Sequence, residues 1–250
     1  AKVLETDKEQ YAETITREMH KPITQSLAEI EKSAGMIKYY AEAENVLKPE
    51  NIKTEYDVSE VHYDPMGIIL GVMPWNFPFW QVLRFAIPTI LAGNVVVLKH
   101  ASICFESGDE IENAFSEAGF PKNIFQNLRI GHNEIQEILE NPLVRGVSLT
   151  GSEKAGGTVA ALAGKNIKKS VLELGGSDAF IVLEDSDFEK AAKEGPWAKL
   201  ENTGQICNSA KRFIIHKKID KEFVPKFIEE YRSYQPADPM KKETRLGKMA

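Results

Sequence analysis

Cys207 closes the segment Asn202-Thr203-Gly204-Gln205-Ile206-Cys207, and Glu173 interrupts the otherwise apolar run Val171-Leu172-Glu173-Leu174-Gly175-Gly176. A thiolate is a strong nucleophile. A carboxylate buried in an apolar strand has its pKa raised by desolvation and becomes a better general base. Together they point to covalent catalysis. Each has a plainer reading alone, because a free cysteine commonly packs as a small hydrophobe and a strand carboxylate commonly pairs with a buried lysine. Two further segments tip the balance, Pro74-Trp75-Asn76-Phe77-Pro78 and Leu149-Thr150-Gly151-Ser152-Glu153-Lys154-Ala155-Gly156. Cys104, in Ala101-Ser102-Ile103-Cys104 at a helix entrance, belongs to no such segment and reads as a packed thiol.

The elements that must position these groups alternate along the chain. Apolar runs at 67–72, 95–98, 124–128, 144–149, 170–174, 179–183 and 212–216 read as strands. Helical spacing is found around 81–91, 106–117, 134–140, 154–163, 188–200 and 222–231. Continuous apolar strands that alternate with helices imply a parallel sheet buried on both faces, hence a doubly wound, Rossmann-like α/β fold. Before it, residues 5–47 carry helical spacing and form a helical arm, split by Lys21-Pro22. The alternation of Thr54, Tyr56, Val58, Val61 and Tyr63 reads as a polar hairpin at 54–64, a pairing or subunit-contact element. The natural division is a nucleotide-binding unit at 1–175, with arm and hairpin, and the beginning of a second α/β unit at 176–250.

The chain has 250 residues, 42% of them hydrophobic, with net charge −6 and two cysteines. That suffices for a substantial core. Acidic balance and scattered basic residues argue against a nucleic-acid partner, and no spanning apolar stretch suggests a membrane. Two cysteines make no disulfide framework, so a cytoplasmic protein with reduced thiols is expected.

No Gly-x-Gly-x-x-Gly follows any expected strand. Gly151-Ser152, with Gly156 opening the next helix, could instead offer free backbone N–H groups, a hydroxyl and a helix dipole to a pyrophosphate. Ser152 could equally be an ordinary N-cap. Lys99 is expected to end the strand 95–98 and project at the same sheet edge, towards a cofactor ribose or phosphate or simply into solvent.

Taken in order, Pro74-Trp75-Asn76-Phe77-Pro78, Gly151-Ser152 with Gly156, Leu172-Glu173-Leu174-Gly175-Gly176 and Gly204-Gln205-Ile206-Cys207 resemble the signature set of the NAD(P)-dependent aldehyde dehydrogenase superfamily. The resemblance covers essentially the whole chain. It implies that Cys207 attacks an aldehyde to give a thiohemiacetal and then a thioester, and that Glu173 activates the water that releases the acid. It gives the oxyanion to the Asn76 amide and the Cys207 N–H. It implies cofactor contacts from Trp75, Lys99, Ser102, Gly151, Ser152, Gly156 and Leu174. NAD-strict members commonly carry an acidic residue at the position of Ser102, so this neutral residue implies that NADP is accepted or preferred, with NAD the alternative. His100 departs from the common Lys-Pro dipeptide.

The wording Leu98-Lys99-His100-Ala101-Ser102 and Ala210-Lys211-Arg212-Phe213 is most similar to bacterial succinate-semialdehyde dehydrogenases. There an Arg at the position of Arg84 resembles a clamp on the distal carboxylate. Glu201 stands where some members of that branch have a second Arg. Members of the family are longer, so the chain is expected to be truncated at both ends and to lack a later nicotinamide-ribose segment. The hairpin resembles the subunit-bridging element of the family, which implies a homo-oligomer. Three other readings stay open: a cysteine hydrolase or acyltransferase with His216 as base, acylation of coenzyme A, and a non-catalytic nucleotide-binding fragment.

Overall fold

A computed structural model describes residues 1–43 and 47–250. Positions 44–46 of the expected arm lie outside the described residues. The arm forms α1 (Lys2–Thr6), α2 (Lys8–Met19) and α3 (Ile23–Glu42). His20, left-handed at φ 60°, closes α2. Pro22 then keeps Lys21 out of helical geometry, so the chain turns before α3 begins.

The hairpin is smaller and differently placed than the alternation suggests. Its ladder pairs only β1 (Glu50–Asn51) with β2 (Glu60–Val61), antiparallel. Thr54, Tyr56 and Val58 fall in the connecting loop, with Tyr56 and Val58 exposed. Alternation specifies a strand only where one face is buried, and neither face is buried here.

Next come β3 (Ile68–Met73), α4 (Pro78–Leu91), β4 (Val95–His100), α5 (Phe105–Glu117), β5 (Phe125–Asn127), α6 (Ile135–Glu140), β6 (Val144–Thr150), α7 (Glu153–Lys165) and β7 (Lys169–Glu173). The strands form one parallel sheet in the order β5-β4-β3-β6-β7. From β3 the chain winds outwards through β4 and β5, then returns to the other side of β3 for β6 and β7. That reversal creates a crevice at the carboxyl ends of β3 and β6, where doubly wound folds bind ligands.

Both faces are covered. On one, Phe79, Val82 and Ala86 of α4 and Ile111 and Phe115 of α5 pack with Ile15, Met19 and Ile30 of the arm over Val96 and Leu98. On the other, Ile135 and Leu139 of α6 and Val159 of α7 cover Leu70, Val147 and Leu149. A separate two-stranded parallel sheet joins β8 (Asp178–Val182) to β9 (Ala210–Ile215) across α8 (Phe188–Leu200). It is followed by α9 (Asp220–Ser233), whose Phe223 packs with Val182 and Ala192.

Candidate active site

The loop after β3 carries Trp75 and Asn76, and the turn Glu201–Gly204 after α8 leads to Cys207. The two interlock. The Asn76 Nδ2 donates to the Gln205 carbonyl, and the Asn202 Nδ2 donates back to the Asn76 carbonyl, each at 2.8 Å. Asn202, Thr203 and Gly204 are consecutively left-handed, with φ 49°, 58° and 76°. Only the glycine adopts this freely, so the other two depend on their surroundings to hold it. Asn202 is fully buried, and its backbone N–H donates to the Gln25 Oε1 of α3 at 2.8 Å. Cys207 is exposed, and its carbonyl accepts from the Lys211 Nζ at 2.5 Å.

The Asn76 loop is held from below. Phe77, the N-cap of α4, has no side-chain oxygen to offer. Instead the Glu29 Oε1 accepts the Phe79 and Trp80 N–H groups at 2.9 Å each, while its Oε2 pairs with the Lys21 ammonium. Both side chains of that pair are fully buried. Desolvation lowers the Lys21 pKa, partly offset by the charge and hydrogen bond of Glu29. His100 adds a third tie. The Ala101 N–H donates to its Nδ1, so Nε2 carries the proton and donates to the Pro78 carbonyl at 3.1 Å. Burial pushes its pKa down to about 4.

Glu173 is not where its apolar neighbours suggest. It ends β7, an edge strand paired only with β6, and its side chain is 56% exposed. The expected burial is missing, because no neighbouring strand covers that edge among the described residues. Its Oε2 lies 3.5 Å from the guanidinium of Arg84. The expected base and the expected substrate clamp thus meet, lining an open groove of about 860 Å³ with Trp80, Phe85, Ser148 and Thr150. A half-exposed ion pair of this kind contributes about 0–1 kcal/mol, so either partner is easily released.

The nucleotide-facing expectations divide. Lys99 lies inside β4 rather than ending it and is nearly buried, with no hydrogen-bond acceptor among the described residues. Burial lowers its pKa, with an opposing pull from Glu134. A nearly buried lysine whose ammonium has no acceptor among the described residues fits an anionic or hydroxyl-bearing ligand. Ser102 is exposed and opens the turn Ser102–Cys104 before α5. Ser152 caps α7, its Oγ accepting from the Ala155 N–H at 3.2 Å. The Gly151 N–H is not free as expected, since it donates to the Glu173 carbonyl at 3.0 Å. Gly156 has a packing reason as well: a Cβ there would sit 2.6 Å from Leu174, so its absence lets α7 approach the chain after β7. Trp75 is half-buried above Cys104. Cys104 is fully buried with its pKa raised by desolvation, the packed thiol expected.

The hydrolase reading loses its base. His216 follows β9 and faces Glu184, whereas Cys207 precedes that strand, and six extended residues span about 20 Å. Sequence reasoning also overlooked Lys21, Gln25, Glu29 and Asn202. The available signal was spacing, because Glu29 shares the stripe of Ser26, Ile30 and Ser33, all buried.

A ligand crevice at the switch point of a doubly wound sheet, with an exposed thiol and an asparagine amide in interlocked loops beside it, defines a Rossmann-like scaffold of the nucleotide-binding type. The aldehyde dehydrogenase family model matches residues 1–250, and the chain belongs to that family. It is 43% identical, over its whole length, to 55% of a probable NADP(+) succinate-semialdehyde dehydrogenase from Synechocystis. It is 42% identical to 54% of the NAD(P)+ succinate semialdehyde dehydrogenase Sad of Escherichia coli, again over its whole length. Among solved structures, succinic semialdehyde dehydrogenase from Streptococcus pyogenes in complex with NADP+ matches with TM-score 0.97 and 38% identity, covering 99% of this chain and 55% of that one. The chain therefore spans about half the length of these relatives.

Proposed function

We propose that this chain supplies the nucleotide-binding half and the nucleophile of an NADP-dependent aldehyde dehydrogenase that acts on succinate semialdehyde. The observation that carries the reading is the interlock between the Asn76 and Cys207 loops at the carboxyl ends of the sheet. Residues 1–175 form the nucleotide-binding part and 176–250 the start of the catalytic part. The names of the relatives above support the substrate and the cofactor.

Cys207 attacks the aldehyde carbon, and the oxyanion that forms takes the Cys207 N–H and the second hydrogen of the Asn76 amide. The chemistry NADP supplies when bound is acceptance of the hydride that leaves the Cys207 adduct. Lys99 meets its ribose or phosphate groups, neutral Ser102 leaves room for the 2′-phosphate, and Trp75, Gly151, Ser152, Gly156 and Leu174 shape the crevice; NAD is the alternative cofactor. Arg84 takes the distal carboxylate of the substrate in place of that of Glu173, and Glu173, so released, orients the water that hydrolyses the thioester. The full-length protein assembles as a homo-oligomer through the hairpin and works in the cytoplasm, where Cys207 stays reduced. No helix among the described residues is long and apolar enough to cross a membrane.

Mixing the chain with succinate semialdehyde and excess NADP tests this. Reduced cofactor is expected with the parent chain and none with Cys207→Ala. Arg84→Ala should raise KM for succinate semialdehyde about tenfold or more while leaving an uncharged aldehyde little changed. Undiminished cofactor reduction by Cys207→Ala would sink the reading.

A further inference from the structure

Helix α4 starts in an unusual way. Its N-cap is Phe77, which carries no oxygen, and its first residue is Pro78, which carries no N–H. The next two N–H groups, of Phe79 and Trp80, would be orphaned at a buried helix end. Both are taken by one oxygen of Glu29, at 2.9 Å. The Lys21 ammonium is buried against the other oxygen and lies 3.9 Å from the centre of the Phe77 ring.

A local Ser or Asp at position 77 would cap α4 without burying an ion pair. Such a cap would not tie α4 to another helix, and Glu29 does. One turn earlier on the same face of α3, the Gln25 Oε1 accepts the Asn202 N–H at 2.8 Å. Glu29 therefore holds the start of α4, just after Asn76, while Gln25 holds the left-handed turn just before Cys207. Four residues of helix rise about 6 Å, a fixed spacing between two loops that also bond directly to each other.

We propose that Gln25 and Glu29 are positioning residues, and that α3 acts as a ruler setting the distance between the Asn76 donor and the Cys207 nucleophile. The proposal rests on the reading of Asn76 as the oxyanion donor. Neither residue touches substrate. Their effect is confined to reactions of Cys207 that develop an oxyanion.

Two reactions of the same thiol separate this from general loosening. Acylation by p-nitrophenyl acetate passes through an oxyanion, whereas alkylation by iodoacetamide needs only the exposed thiolate. Cys207→Ala supplies the blank for both. Glu29→Asp keeps the charge beside Lys21 but withdraws the oxygen from the two N–H groups. Gln25→Ala, at a half-buried position, is the second variant should the first fail to fold.

Each variant is expected to slow acylation about tenfold and to leave alkylation within about twofold of the parent chain. In an Asn76→Ala background, neither should slow acylation further. Three results would overturn the proposal: acylation at the parent rate in both variants, equal slowing of both reactions, or a loss that multiplies upon Asn76→Ala. Acylation at the parent rate in Asn76→Ala alone would instead remove the oxyanion reading, and the ruler with it.

Discussion

Two carboxylates in this chain occupy opposite environments from those their neighbours in sequence suggest. Glu173 sits in a run of apolar residues and lies open on an edge strand, loosely paired with Arg84. Glu29 sits in a helix with charged neighbours and is fully buried, holding an ammonium and two backbone N–H groups. Apolar neighbours along a strand bury a residue only if further strands and helices cover that part of the sheet, and beside Glu173 even Val171 remains 61% exposed. A helical residue is buried by whatever packs on its stripe, and the stripe of α3 meets α4. Burial of a charged group is therefore decided by the order of elements in space rather than by the composition of a segment.

The contrast can be broken most directly by truncation. Glu29→Ala strands the buried Lys21 charge and should lower stability by about 3–5 kcal/mol in urea unfolding, whereas Glu173→Gln should shift it by less than about 0.5 kcal/mol. Similar losses would abolish the distinction between the two regions. His100 extends the test to pH. Burial lowers its folded pKa from 6.5 to about 4, so the unfolded chain takes up the proton first as pH falls. Its contribution is intact above about pH 6.5 and is lost progressively towards pH 4, by about 3 kcal/mol. Glu18 and Glu110, whose pKa values burial raises, act in the opposite sense. The measurement is therefore the difference in unfolding midpoint between the parent and His100→Gln, which keeps a donor for the Pro78 carbonyl. A difference that does not change with pH would mean that His100 is not buried neutral. The smallest effect belongs to the exposed end of α7, where Ser152→Ala should cost about 1 kcal/mol by loss of the cap. No loss would argue that Ser152 serves a ligand rather than the helix.

Much of the scaffold was legible before the structure. The parallel strands, their intervening helices and the break at Lys21-Pro22 lie within a few residues of their expected places, because apolar periodicity and proline chemistry act locally. The errors share one origin. The alternation at 54–64 has no buried face to support a longer hairpin. Lys99, expected to end the strand 95–98, lies inside β4, whose ladder continues to His100. The Gly151 N–H, expected to be free, is claimed by the last residue of β7. Each depends on what lies opposite in space.

Of the candidate site, the thiol, the Asn76 amide and the glycines at Gly151 and Gly156 stood out as residue types at particular places along the chain. Their assembly did not. Local pattern sufficed for which segments become strands and helices, for the parallel sheet, and for which side chains have the chemistry of a nucleophile and an amide donor, since these follow from short-range backbone preferences and functional groups. Only the tertiary structure decided which carboxylate is buried, that Arg84 and Glu173 meet, and that α3 holds the Asn76 and Cys207 loops together. Those outcomes depend on contacts between residues far apart in the chain, and a packed interior specifies them by shape, dielectric and hydrogen-bond satisfaction that no single segment contains.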